Sequence, residues 1–214
     1  MNTSSCSAGR TVWRSPWLMP EWVDRPLERY QQAFGITASE ERLFTDVRKR
    51  ARLLIGTPLP RVWLHWGLDE RNILRGDQEI SVIDWDGGEV GPPLFDLLYF
   101  MTRWSCAARG LKSEAAQLRG FRQLYFEPDS GGISVIAARQ AIDRYLTKLE
   151  LDRRFLPLLL VLMWVHRAVG RFDRQGALGQ RGLNPRTGNQ YVGYVGILAE
   201  HVEQLFALST AESP

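Results

Sequence analysis

From Glu21 onward, apolar positions recur at helical intervals. Trp22, Val23, Leu27, Tyr30 and Phe34 share one stripe, and Gly35 can close that helix as a left-handed cap. Thr37 and Glu40 stand at capping-box spacing, where hydroxyl and carboxylate each satisfy an orphan amide. The stripe Leu43, Phe44, Val47, Ala51 and Leu54 follows, with Gly56 as its stop. After Pro58 and Pro60 the period shortens: 62–64, 73–75 and 80–83 predict three short strands, the last two joined by a tight turn at Gly76 and Asp77. Beyond Pro93 the pattern predicts helices over 94–108, 114–126, 133–149, 155–172 and 191–208, with long loops at Gly131–Gly132 and over 176–188. No repeat or low-complexity segment interrupts it. The expectation is α+β, mostly α: one domain over 13–208 with a small strand cluster bearing two polar loops, a disordered tail over 1–12 and a short tail over 209–214.

Composition narrows the partners. The 214 residues are 44% apolar, enough for a substantial core. Positive charge is carried by 24 Arg against 3 Lys, yet the formal net charge is only +3 and the arginines are scattered singly, so no nucleic-acid partner is expected. The polar stretch before Arg10 lacks the apolar run of a secretion signal, which places the chain in the cytoplasm. Cys6 and Cys106 make no metal or redox spacing. The longest apolar run, 155–165, is too short to span a bilayer and is read as a core helix, so no membrane partner is expected.

Chemistry concentrates between Leu64 and Tyr99, in LHWGLDERNILRGDQEISVIDWDGGEVGPPLFDLLY. This stretch resembles the catalytic core of the aminoglycoside phosphotransferase and choline kinase family. There an HxDxxxxN loop precedes a hairpin, an IDW or IDF run, a Gly/Pro-rich turn and an Asp that opens a helix. The resemblance implies the C-terminal lobe of a protein-kinase-like fold, with the strand cluster carrying the catalytic and metal loops. It implies a structural role for His65 beneath the second loop, and Mg2+ with its ATP held by the oxygens of Asn72 and Asp84. It implies a supporting role for Asp96, accepting hydrogen bonds from the catalytic-loop backbone, and a variable one for Asp86. Hard oxygen ligands suit Mg2+, and phosphoryl transfer needs mainly charge neutralisation and alignment.

The family's catalytic Asp falls on Gly67, which has no group to accept a proton. Asp69 is a weak substitute: two residues along an extended loop is a displacement of roughly 6–7 Å, beyond the hydrogen-bond reach of a general base unless the loop is rebuilt. Upstream of His65 there is no Gly-rich phosphate loop and no strand-borne Lys, since Lys49 lies in a helix, so the N-terminal ATP lobe is expected to be absent and binding of ATP and Mg2+ doubtful.

Each residue also has a plain structural reading. His65 can be a core histidine, Asn72 a turn residue, Asp96 an N-cap, and Glu70 and Arg71 a solvated face. Trp63, Trp66, Trp85, Trp104 and Trp164 read as core or pocket-wall rings, and His166 as a helix-end or substrate-cleft polar group. Three functions remain open: a degenerate phosphotransferase inactive as a lone chain, a truncated or split small-molecule kinase completed by an N-lobe, and a non-catalytic module binding a ligand or protein. Partners are accordingly a small-molecule hydroxyl acceptor and a second copy or another chain over the cleft face; Asp69, Asp86 and Glu89 would suit a cationic acceptor.

Overall fold

The computed structural model describes residues 10–12, 19–77, 79–130, 132–178 and 184–210. The first helical stripe divides into a π-helical turn, Met19–Asp24, and helix α1, Arg25–Phe34. Pro26 explains the division, because it lacks the N–H that would continue the i→i−4 ladder and its ring crowds the preceding turn. Helix α2, Ala38–Leu53, begins where the capping box requires: Glu40 N donates to Thr37 Oγ1 (3.2 Å) and Thr37 N donates to Glu40 Oε2 (2.9 Å). The Glu40 carboxylate also accepts from Tyr30 Oη (2.8 Å) and from Arg186 (2.5 Å). One buried acid therefore ties α1 and α2 to the segment before the C-terminal helices.

Among the described residues, six three-residue strands pair as three antiparallel ribbons and not as one sheet. Strand β1, Arg10–Val12, pairs with β2, Pro58–Pro60. This strand lies inside the expected N-terminal tail; its partner is a main-chain edge, which no side-chain pattern announces. The rest of that tail, with Cys6, lies outside the described residues, as do the last four. Strand β3, Val62–Leu64, pairs with β6, Glu89–Gly91, and β4, Ile73–Arg75, pairs with β5, Ile80–Val82. The connection between β4 and β5 spans four positions, 76–79, closed by Gly76 N donating to Glu79 O (2.8 Å), in place of the anticipated two-residue turn.

The remaining elements are helical: α3, Phe95–Ala108; α4, Glu114–Tyr125; α5, Gly132–Lys148; α6, Phe155–Ala177; α7, Gln190–Glu200; and α8, Val202–Ala207. Helix α6 is the axis of the core. It packs against α1, α2, α3 and α7, and its residues from Phe155 to Val165 are all buried. At 23 residues it is long and apolar enough to cross a bilayer, but two thirds of that apolar window is enclosed by the other helices, and Arg167, Arg171, Asp173 and Arg174 occupy its second half. Fully burying a Leu such as Leu27, Leu43 or Leu160 contributes about 1.5–3 kcal/mol. The anticipated helix 191–208 breaks at His201, whose ring stacks on Phe126 at 4.6 Å while its Nδ1–H donates to Ile197 O (2.9 Å).

Candidate active site

The loop from His65 to Asn72 leaves β3 and enters a 3-10 turn, Glu70–Asn72, before β4. Its start is pinned from below by Asp96, in the first turn of α3, whose carboxylate accepts from His65 N (2.5 Å) and Trp66 N (3.0 Å). These bonds hold Trp66 in a left-handed backbone conformation, φ 60°, costly for any residue with a Cβ. Burial raises the Asp96 carboxyl and the two amides pull it back, leaving it above the usual carboxylate range.

His65 is buried, 3% exposed, with its ring 4.8 Å from that of Trp85. Its tautomer follows from its neighbours. Gly67 N donates to Nδ1 (3.2 Å), so the proton sits on Nε2, which donates to Ile83 O (2.7 Å). The imidazole thus lies under the Asp84 loop and locks it to the His65 loop, and both ring nitrogens are engaged.

Asn72 joins the same two segments. Its N donates to Asp69 O (3.1 Å), its carbonyl accepts from Ile83 N (3.0 Å), and its Nδ2 donates to Gly67 O (3.0 Å). With one Nδ2–H held, Oδ1 is the oxygen acceptor the amide still offers. Since Ile73 pairs with Val82, the register sets Asn72 against Ile83, one residue from Asp84 at the tip of the ribbon. Asp84 is exposed and also left-handed, φ 67°. Asp86 is exposed in the turn beyond it. Gly88 allows this loop to lie close against the Trp63 side chain of β3, because a Cβ there would stand 2.6 Å from Trp63 Nε1.

An amide oxygen and a carboxylate are the kind of hard donors Mg2+ takes from protein when phosphates supply much of the remaining shell. Among the described residues no three His, Cys, Asp or Glu side chains group as a metal site.

Gly67 sits at the centre. A Cβ built on it would meet His65 Nδ1 at 3.5 Å and Asn72 Nδ2 at 3.9 Å, both ordinary contacts. The position therefore has room for a side chain, and none is present. Asp69 does not fill the gap: it is 2% exposed and accepts from Arg71 N (3.0 Å) and from the Arg71 guanidinium (2.6 Å), capping the 3-10 turn. Burial raises its carboxyl, but the Arg71 hydrogen bonds outweigh this and leave it below the usual range, the wrong direction for a proton acceptor at neutral pH. Glu70 and Arg71 are correspondingly tied to neighbours, Glu70 to Arg103 at 3.4 Å.

One cleft borders the loop and a second lies beyond it, and neither is evident from the catalytic motif. One, of about 410 Å³, has Trp22, Trp66, Glu89, Arg167, Gly170 and Arg174 in its walls; the other, of about 330 Å³, is bounded by Glu21, Arg25, Arg29 and Val169. Trp22 and His166 separate them. His166 lies within α6 and not at its end. Its ring is 5.5 Å from Trp22, 5.8 Å from Phe95 and 6.0 Å from Trp66, and burial, helped by Arg167, pushes its pKa down to about 4. It is a neutral wall group. Two tryptophans depart from the core reading: Trp63 is 61% exposed and Trp85 46% exposed, on the face of the ribbons.

A family model described as the phosphotransferase enzyme family matches residues 7–132, more than half of the chain, from β1 through the loop and ribbons to the start of α5. No curated protein and no solved structure matches the chain.

Proposed function

The chain belongs to the phosphotransferase enzyme family, and from that premise we propose that it is a degenerate member: the scaffold and metal-side oxygens of a small-molecule kinase persist, but the group that would accept the hydroxyl proton does not, and the lone chain transfers no phosphoryl group. One observation carries this reading. Every bond that shapes the His65–Asn72 loop is made, while the position facing Asn72 is Gly67, where a Cβ would be accommodated at ordinary contact distance but no side chain stands. The nearest alternative, Asp69, is buried against Arg71.

Asn72 Oδ1 and Asp84 are the groups that would hold Mg2+, which when bound to ATP neutralises charge on the transferred phosphoryl group. The chain's own residues do the rest: Asp96 and His65 hold the loop against α3 and the ribbon, and Asn72 spaces position 67 from the metal side. The acceptor in this reading is a small molecule bearing a hydroxyl.

Calorimetric titration with Mg-ATP tests the reading directly. Weak or no binding is expected, and a micromolar dissociation constant would overturn it. Gly67→Asp fits the loop without backbone strain, since no atom lies within 3.4 Å of its Cβ. Little turnover is expected from this variant. A gain of about 10²–10⁴-fold, the typical worth of a general base, would instead show an intact nucleotide site lacking only its base.

A second reading has its own observation. Trp63, Leu74, Ile80, Ile83, Trp85 and Val90 leave an apolar face on the ribbons, where a nucleotide lobe covers the cleft in a two-lobed kinase. A second body docked there, as an N-lobe on another chain or a second copy, would make the site part of a split or self-associated assembly.

A further inference from the structure

We propose that the cleft beside the His65–Asn72 loop binds a small organic oxyanion on a flat apolar body, which makes the acceptor class anionic and not cationic. The assignment of this side as the acceptor side rests on the proposed function above; the binding claim does not need phosphoryl transfer.

The cleft, about 410 Å³, is of a size to take a small ligand. One wall is a face of α6 on which Arg167, Gly170 and Arg174 follow at helical spacing. The opposite wall is aromatic, from Trp22 and Trp66. Neither arginine is committed to an acid: none of the ion pairs formed among the described residues includes Arg167 or Arg174. Arg167 lies over the Tyr99 ring, 3.8 Å from its centroid, which leaves the guanidinium edge without a carboxylate. The nearest acid acting on it, Asp96, already receives two backbone amides.

Two further N–H groups point the same way. Trp66 Nε1 and Arg167 Nε, both in wall residues, are buried and have no hydrogen-bond partner. Both are donors only and call for an acceptor, which an oxyanion supplies; His166 Nε2, also buried in the wall without a partner, belongs to a neutral imidazole and adds no negative charge. Among the described residues Glu89 is the only carboxylate in the walls, and it is exposed. Two positive charges against one negative charge leave the cleft net positive, and guanidinium forks match carboxylate or phosphate oxygens in pairs. Gly170 keeps the floor open between the arginines: a Cβ there meets only Arg174 Nη1, at 3.7 Å. The cationic acceptor expected from Asp69, Asp86 and Glu89 finds no support here, since Asp69 is buried against Arg71 and does not line the cleft.

The test is titration of the intact chain, without nucleotide, with benzoate, phenyl phosphate and benzylammonium, read from the indole N–H resonances of Trp22 and Trp66. At least one anion is expected to saturate those shifts and to bind about tenfold or more tighter than the cation, as charge-assisted pairing requires. Arg174→Gln, at an exposed position, should weaken the anion about fivefold or more, Gly170→Leu should abolish binding by filling the floor, and Glu89→Gln should tighten it. Benzylammonium binding as tightly as both anions would overturn the proposal. So would anion affinity unchanged in both Arg174→Gln and Gly170→Leu, or no saturation by either anion below about 10 mM. Failure of Mg-ATP binding or of Gly67→Asp turnover leaves this result untouched, and loss of anion binding leaves the fate of the base untouched.

Discussion

Replacing Asp96 by Ala removes a single side chain from α3 and should loosen a loop thirty residues upstream. Two backbone donors, His65 N and Trp66 N, lose a charged acceptor. Hydrogen bonds to charged groups contribute about 1.5–3 kcal/mol each, so the gross loss is roughly 3–6 kcal/mol. Two effects reduce it. Burying the carboxylate is itself unfavourable, which is why its pKa is raised. Trp66, freed from Asp96, can also leave its left-handed conformation and recover about 1–2 kcal/mol. The net destabilisation expected is about 2–4 kcal/mol, or roughly 4–16 °C in Tm for a chain of this length. Asp96→Asn keeps one acceptor oxygen and should lose about half as much. Urea unfolding followed by far-UV circular dichroism measures the total, and amide hydrogen exchange localises it to His65 and Trp66. A loss below about 1 kcal/mol in the Ala variant, or unchanged protection at those two amides, would refute the assignment of Asp96 as the loop's anchor.

Two other outcomes are expected. Burial pushes the Glu40 carboxyl up, but Arg186, Thr37 and Tyr30 together hold it below the usual range. Its folded value lies under its unfolded value of about 4.3, so its stabilisation is present above that pH and is lost as pH falls through the folded value. Glu40→Gln should therefore be less stable than the parent at pH 6 and lose less of its remaining stability between pH 5 and pH 3. Parallel losses in urea midpoint would contradict this. The apolar face of the ribbons, with Trp63 61% and Ile80 72% exposed, should bind a hydrophobic dye and drive concentration-dependent association in sedimentation velocity. A single monomeric boundary without dye binding would show that the face needs no cover.

Local signals in the sequence were legible because local physics decides them. Thr37 and Glu40 satisfy each other's amides within one turn, so the start of α2 follows from four residues. The strands Val62–Leu64 and Ile73–Arg75 lie where alternation and flanking turn residues put them. Features made by distant segments were not legible. The pairing of β3 with Glu89–Gly91 depends on a close approach at a Gly-rich stretch that reads as loop. The cleft joins Trp22, Trp66 and Arg167, residues from a π-helical turn, a loop and α6, and its trace in the sequence is Gly170 set between two arginines in the polar second half of that helix. Within the motif, residue types indicated who stands near whom, but not that Arg71 would cover Asp69, since that depends on how a 3-10 turn orients its first side chains.

The main chain of Gly67 accepts from Asn72 and donates to His65, and neither contact uses a side chain at that position. Scaffold and reagent are consequently independent here. A mutation at residue 67 can therefore add or remove a side chain without unfolding the cradle around it, so one codon changes what the loop offers to a ligand while the shape stays the same.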